Sequence, residues 1–419
     1  MKKWSKFFYA SLCFLLSSFI FYGIEAFAIE NIQSEALTQI IYSENGRIEN
    51  NGIYQLDVDF YGIISIANSV NEVKVIGNGL DHQHNNTAIF FEDNRSEAVT
   101  LTIEDLYITA PTETHGIDFG NTGSDENEPS KLFISGRSKV EGQHTGIHVP
   151  QGVHLIIDTV EGDAPGEIDI ESFGLGAGIG GGYHKSAGMV TIEGGTIKAI
   201  GKSGIGGGGG SFWYLIESGI APTPAYSAHG GNLIISGGTV TAIGSSGAGI
   251  GGGWNGNGGT VTITGGTVTA IGGTHGAGIG GGVNGEGCLL VITDATVMAE
   301  GVTGIGGGLW DSMERNHATL PHGGTIEISG GTVTATGLLG AGIGTVDTGS
   351  GGIVNITGST VTAIGGTNIT TDSPYAIYVR PPGIGTSDPV RPLGSVSIIN
   401  SNVTAEGAIN GPASVIIHV

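Results

Sequence analysis

The feature that most constrains this chain is a repeating cassette: Thr-Val-Thr-Ala-Ile-Gly, a short bridge, then Gly-Ala-Gly-Ile-Gly-Gly-Gly. It runs from Thr239 to Gly253 and again from Thr267 to Gly282. Related hexapeptides start at Thr196, Thr296, Thr332, Thr360 and Asn402, and successive starts lie 43, 28, 29, 36, 28 and 42 residues apart. The unit is therefore about 28 residues, with roughly 15, 8 and 14 extra residues in three intervals. Self-similarity at a nearly fixed period is the mark of a solenoid, in which each repeat buries its apolar face against the next.

Within a unit, short apolar runs such as Val261 to Thr264, Thr267 to Ile271 and Ala277 to Gly280 alternate with glycine pairs. Glycine turns the chain sharply without a steric penalty. Val268 and Ala270 alternate with Thr267 and Thr269, so one face meets a core and the other meets solvent. Three short strands per turn predict an all-β fold, a parallel β-helix. About twelve turns at ~4.8 Å each give a rod of roughly 55–60 Å. The first third reads as the same architecture written less regularly: Gly52-Ile53-Tyr54, Gly62 to Ala67 and Val73 to Ile76 as one coil of three strands, then Leu101 to Ile108 and Leu132 to Gly136. A Gly-Ile pair marks the series at Gly116, Gly146, Gly178, Gly204, Gly249, Gly278, Gly304, Gly342 and Gly383.

Residues 1–28 read as a secretory signal peptide: Lys2, Lys3 and Lys6, an apolar stretch from Phe7 to Ile24, and the small-residue exit Ala26-Phe27-Ala28. Residues 29–419 then form one β-helix domain, with irregular coils to about 170 and glycine-rich repeats from about 171. After cleavage only Cys288 remains, so the exported chain forms no internal disulfide. Removal of the three lysines and Glu25 leaves 12 basic and 37 acidic residues, a formal charge of −25. That field disfavours nucleic acid and anionic membranes. Uronate polymers are disfavoured too, unless a cation such as calcium bridges the two anions.

On these cassettes the chain resembles the pectate-lyase-like right-handed parallel β-helix superfamily. The glycine repeats are similar to those of exported, carbohydrate-binding surface proteins of Gram-positive-type bacteria. The resemblance implies a single-stranded right-handed β-helix, secreted or held noncovalently at a bacterial surface. It does not choose among lyases, hydrolases, adhesins and inert spikes.

Each insertion is expected after a Gly-Ile-Gly element, and so along one edge of the solenoid. There the sequence places Tyr183, His184 and Lys185, then Phe212, Trp213 and Tyr214, then Trp254 and Asn255, then Asn284 and Glu286. Trp310, Asp311, Glu314, Arg315 and His317 follow, and a last insertion carries Tyr375, Tyr378 and Arg380. Sugar rings stack C–H faces on aromatic rings, worth about 0.5–1.5 kcal/mol beyond area burial if comparable to aromatic pairing. Tyr183, Trp213, Trp254, Trp310, Asp311 and Arg315 are therefore the candidate contacts for an extended polysaccharide. The competing reading makes the same aromatics a cover for glycine-rich backbone.

A glycan-cleaving enzyme is the second class. Asp118 and His148 both follow a Gly-Ile pair and are expected ~5 Å apart on neighbouring coils. Asp347 and Asp388 recur in matching Gly-Ile-Gly-Thr settings, and paired carboxylates suit glycoside hydrolysis. Arg315 beside Asp311 and Glu314 is the local candidate for a lyase base. Asp81, His82 and His84 are a weaker metal candidate, with exposed loop histidines the simpler reading, and the acidic loop 125–128 is a calcium candidate for which a solvated turn is the simpler reading. Finally, Thr239/Thr241, Thr267/Thr269, Thr332/Thr334 and Thr360/Thr362 predict an outward Thr-x-Thr ladder of the kind found on ice-binding solenoids, interrupted by Lys198 and Met298.

Overall fold

The computed structural model describes residues 39–41, 46–92, 96–124, 128–162, 164–210, 227–309, 322–346, 349–366, 382–386, 395–406, 409–410 and 415–418. These form a right-handed parallel β-helix. Three parallel sheets of 14, 13 and 11 strands run its length, one strand from each per regular coil. The first sheet takes strands such as Thr260–Ile263, the second two-residue strands such as Ile279–Gly280, and the third strands such as Thr267–Ile271. Fourteen strands in the first sheet put the coil count slightly above twelve.

All seven hexapeptides stack in one register. Thr196, Thr239, Thr267, Thr296, Thr332, Thr360 and Asn402 are successive partners in the third sheet. The alternation does what period two requires. Val268, Ala270, Ile279, Leu290 and Ile292 are all buried, one set from each sheet. Full burial of such a side chain contributes roughly 1.5–3 kcal/mol. Alanine recurs on the third sheet at Ala199, Ala242, Ala270, Ala299, Ala335 and Ala363, all fully buried. The outward threonines form the anticipated ladder, with Met298 half-exposed within it.

Two expectations for the first third change. Gly52–Leu56 and Glu72–Ile76 are not strands of one coil but neighbours in the first sheet, with Gly62–Ile66 of the second sheet between them. The connection 57–61 replaces a third strand, and that sheet begins only at His84–Asn85. The run from Leu101 to Ile108 is also broken. Asp105 adopts φ +45° and separates Thr100–Glu104 from Tyr107–Thr109, which lie in different sheets.

Around each Ile-Gly pair the chain nearly doubles back. The Ala177 N–H donates to the Gly181 carbonyl at 3.0 Å, Ala248 to Gly252 at 2.9 Å and Ala277 to Gly281 at 2.9 Å. A β-turn follows, closed by Lys185 N–H to Gly182 C=O at 3.0 Å and by Gly285 N–H to Gly282 C=O at 3.0 Å. Its third residue is left-handed: His184 at φ +53°, Asn255 at +49° and Asn284 at +55°. Asparagine tolerates that conformation, as Gly-Trp-Asn-Gly and Gly-Val-Asn-Gly require.

These turns hydrogen-bond to one another as a fourth row. Gly282 N–H reaches the Gly256 carbonyl at 3.0 Å, and Gly308 N–H reaches the Gly285 carbonyl at 3.0 Å. A Cβ on Gly285 would collide with the Gly256 carbonyl oxygen, which explains why the row is written in glycine. Gly285→Ala is expected to destabilise the protein by about 3 kcal/mol or more, as overpacking against backbone does. Gly79→Ala, at φ +81° with open space around it, should cost only about 1–2 kcal/mol. Urea denaturation of both variants tests this, and equal losses would contradict the stacked-turn row.

Candidate functional site

The turn row carries the aromatic candidates that the structure describes. Tyr183, Gly209, Trp254, Val283 and Leu309 are successive occupants of one corner, linked by His184 N–H to Gly209 C=O (2.8 Å), Trp254 N–H to Gly208 C=O (3.1 Å) and Asn284 N–H to Leu309 C=O (3.0 Å). Trp254 pairs with Val283 through an isolated parallel bridge. Tyr183 and Trp254 are both half-buried. The Trp254 indole and the His184 imidazole fill the space where a Cβ of Gly210 would stand. One part of the indole therefore covers backbone, as the cover reading anticipated, while the rest faces solvent. Trp213, Trp310, Asp311, Arg315, Asp347 and Asp388 lie outside the described residues.

One expected placement needs correction. Residues 367–381, with Tyr375, Tyr378 and Arg380, fall between Thr360–Ile364 of the third sheet and Ile384–Gly385 of the second. That segment enters before its Gly-Ile pair, on a different edge from the others. Its residues lie outside the described set.

Beside the corner runs a polar row that the sequence reading found only in part. The Asn284 amide donates to Asn255 Oδ1 at 3.0 Å, and both residues are buried. Asn257 N–H donates to His229 Nδ1 at 3.1 Å, and Glu286 N–H to Asn257 Oδ1 at 3.1 Å. His322 Nε2 lies 3.3 Å from Glu286 Oε2. His229 and His322 are exposed, and Asn257 and Glu286 are half-buried. The missed members, His229, Asn257 and His322, each stand before a Gly-Gly pair that leads into a first-sheet strand, a recurrence outside the cassette that would have aligned them.

A second cluster sits at the N-terminal end of the same corner. Asp118 and His148 are register partners in the second sheet. Their side chains point outward, because Ile117, Phe119, Ile147 and Val149 are the buried neighbours. His148 Nδ1 lies 2.7 Å from Asp118 Oδ1, which also accepts from Gly120 N–H at 2.9 Å. The His115 ring stacks on His148 with centroids 4.0 Å apart and planes 5° apart, and His144 meets His115 edge-on at 4.9 Å. One ring atom of the cluster, His115 Nδ1, is shut off from solvent without a hydrogen bond. A Cβ on Gly182 would lie 3.0 Å from His144 Cε1, so the cluster abuts the first glycine turn.

The next partners along this column, Gly180, Gly206, Gly251 and Gly280, have no side chain. Asp118 and His148 thus occupy outward positions that later coils leave bare. His115 and His144 sit one and two residues before Gly116 and Gly146, an offset visible in the sequence that the reading passed over.

Burial, then the charge of His148, pushes His115 down to about 3. For Asp118 burial acts upward, yet the His148 hydrogen bond and charge outweigh it and hold the carboxyl below its ordinary value. The carboxylate is therefore ionised, and His148 donates. Burial also lowers His84 and His144. The other histidine candidate is corrected. His84 is not an exposed loop residue but buried, its Nδ1 3.1 Å from the Phe60 carbonyl and its Nε2 3.2 Å from Asn78 Nδ2. Both ring nitrogens are engaged, which leaves no donor for a metal beside Asp81 and His82. Of the acidic loop, 125–127 lie outside the described residues.

A family model described as a β-helix repeat matches residues 190–209, 233–254, 261–283, 326–347 and 354–388. The first three matches run from a first-sheet strand to the corner residues Gly209, Trp254 and Val283. These matches fall in the regular coils and agree with the parallel β-helix fold. No curated protein and no solved structure gives a significant match.

Depressed imidazole values have a definite sign. The unfolded chain takes up protons near pH 6.5, whereas folded His115 stays neutral to about pH 3. Its stability contribution is complete above about pH 6.5 and is lost as pH falls toward 3. Asp118 acts in the same direction below the ordinary carboxylate range. Urea midpoints should therefore fall steadily from pH 7 to pH 4, and His115→Asn should flatten that slope. An unchanged slope in the variant would show that His115 does not carry the effect.

Proposed function

We propose that this chain is an exported β-helix protein that binds an extended polysaccharide along the corner occupied by Tyr183 and Trp254. One observation carries the reading: two half-exposed aromatic residues share a single corner of a regular stack, about two rungs, or 10 Å, apart. A polymer lying along the rod axis meets Tyr183 and Trp254 in succession. The row His229, Asn257, Glu286 and His322 supplies donors and acceptors beside them for sugar hydroxyls. Trp213, Trp310, Asp311 and Arg315 belong to this reading through the sequence alone: the chain leaves the described residues at Gly210 and Leu309, both at that corner. The sequence signs of export, residues 1–28 and a disulfide-free acidic chain, suit a bacterial surface or secreted location. Calcium enters this reading only if the glycan is acidic.

Cleavage is the second reading, and the hydrogen-bonded Asp118–His148 pair is the described feature that favours it. It sits at one end of the corner, in reach of a polymer laid along it.

Retention on a panel of immobilised glycans, with and without chelator, tests binding, and analysis of released sugars on the same panel tests cleavage. Trp254→Ala should weaken retention about tenfold, the equivalent of ~1.4 kcal/mol. Thr269→Ala, on the remote third sheet, should leave retention unchanged. If Trp254→Ala lowers the melting temperature but not retention, the indole is cover and the glycan reading fails.

A further inference from the structure

We propose that His115, Asp118 and His148 form a binding site for one borderline divalent transition-metal ion, zinc above all. The site does not depend on the glycan reading. One ligand atom from each of the three side chains lies within 4.8 Å of the others. Two of them, His148 Nδ1 and Asp118 Oδ1, are already 2.7 Å apart. A tetrahedral zinc with bonds of about 2.0–2.2 Å separates adjacent ligand atoms by about 3.4 Å. Opening this pair by roughly 0.7 Å lets both face one ion.

The donor chemistry selects the metal. Two imidazoles and one carboxylate suit zinc, cobalt, nickel or copper, whereas calcium takes six to eight oxygens and magnesium prefers waters and carboxylates. Three protein ligands leave a fourth position for water.

The scaffold fixes the backbone that carries two of these donors. Asp118 and His148 are fixed by parallel pairing of adjacent second-sheet strands, with Ile117 and Ile147 anchored in the core. His115 is packed between His148 and His144, and its Nδ1 has neither solvent nor a hydrogen-bond partner. A buried ring nitrogen without a partner is costly in a purely structural cluster, and a bound ion removes that cost. Coordination has one geometric requirement. The His115 and His148 planes are parallel, and a metal must lie in the plane of each ring, so one ring turns about its Cβ–Cγ bond and the stack opens.

The test uses the untagged full-length exported protein, stripped with chelator and titrated calorimetrically with zinc, cobalt, calcium and magnesium chlorides. One equivalent of zinc should bind in the micromolar range or tighter, with no heat from calcium or magnesium at the same concentrations. The cobalt form should show visible absorption of a four- or five-coordinate His/carboxylate site. Asp118→Asn and His148→Gln, with preserved circular dichroism, should each weaken zinc binding tenfold or more, and His229→Ala should not. Absence of stoichiometric zinc binding by the wild type overturns the proposal. So does zinc affinity unchanged in the folded Asp118→Asn and His148→Gln proteins, which would place the ion on other histidines.

Discussion

Parallel hydrogen bonding between successive coils, in one unbroken register, is the interaction on which this molecule depends. It turns a separation of about 28 residues along the chain into a neighbour distance of about 5 Å. The buried columns, the outward threonine ladder, the aromatic corner and the His-Asp cluster are all products of it. Because the side-chain period within a strand is two, a slip of one residue in any coil would expose its valine and alanine and bury its threonines. The fully buried Val240, Ala242, Val333 and Ala335 are therefore what enforces the register that the hydrogen bonds express.

The stacked turns add a second constraint of a different kind. Coils that meet backbone to backbone at Gly256 and Gly285 have no room for any side chain. A glycine-rich wall is thus a requirement of close approach rather than a flexible linker. Residues that do carry side chains, such as Tyr183 and Trp254, are confined to the turn tip. Side-chain chemistry is confined to positions where the stack is not written in glycine, which are the turn tips and the N-terminal second-sheet positions Asp118 and His148.

The repeat made the regular two-thirds of the fold legible, since Thr239, Thr267 and Thr360 head cassettes that align by inspection. The first third was harder. Nothing in the residues around Val58 and Phe60 announces that a whole strand is missing from those coils. The Leu101 to Ile108 run hid a sheet change behind one left-handed aspartate. At the sites, Asp118 and His148 could be paired because both follow Gly-Ile. His115 and His144 differ by one residue in their offset from that pair, and their convergence arises from loop paths between sheets that sequence spacing does not encode. The polar row was legible in principle: His229, Asn257 and His322 each precede a Gly-Gly pair before a first-sheet strand, but the differing residue types at that position hid their equivalence.

The late start of the third sheet has a consequence for how the molecule meets other copies of itself. Its outermost strand on that side, His84–Asn85, offers two residues, and His84 is turned inward onto the Phe60 carbonyl. Stacked solenoids are prone to grow by adding a further chain to a bare terminal rung. Among the described residues one of the three walls narrows to a stub before the first coils, so a strand laid beside His84–Asn85 would find two residues to pair with on that wall.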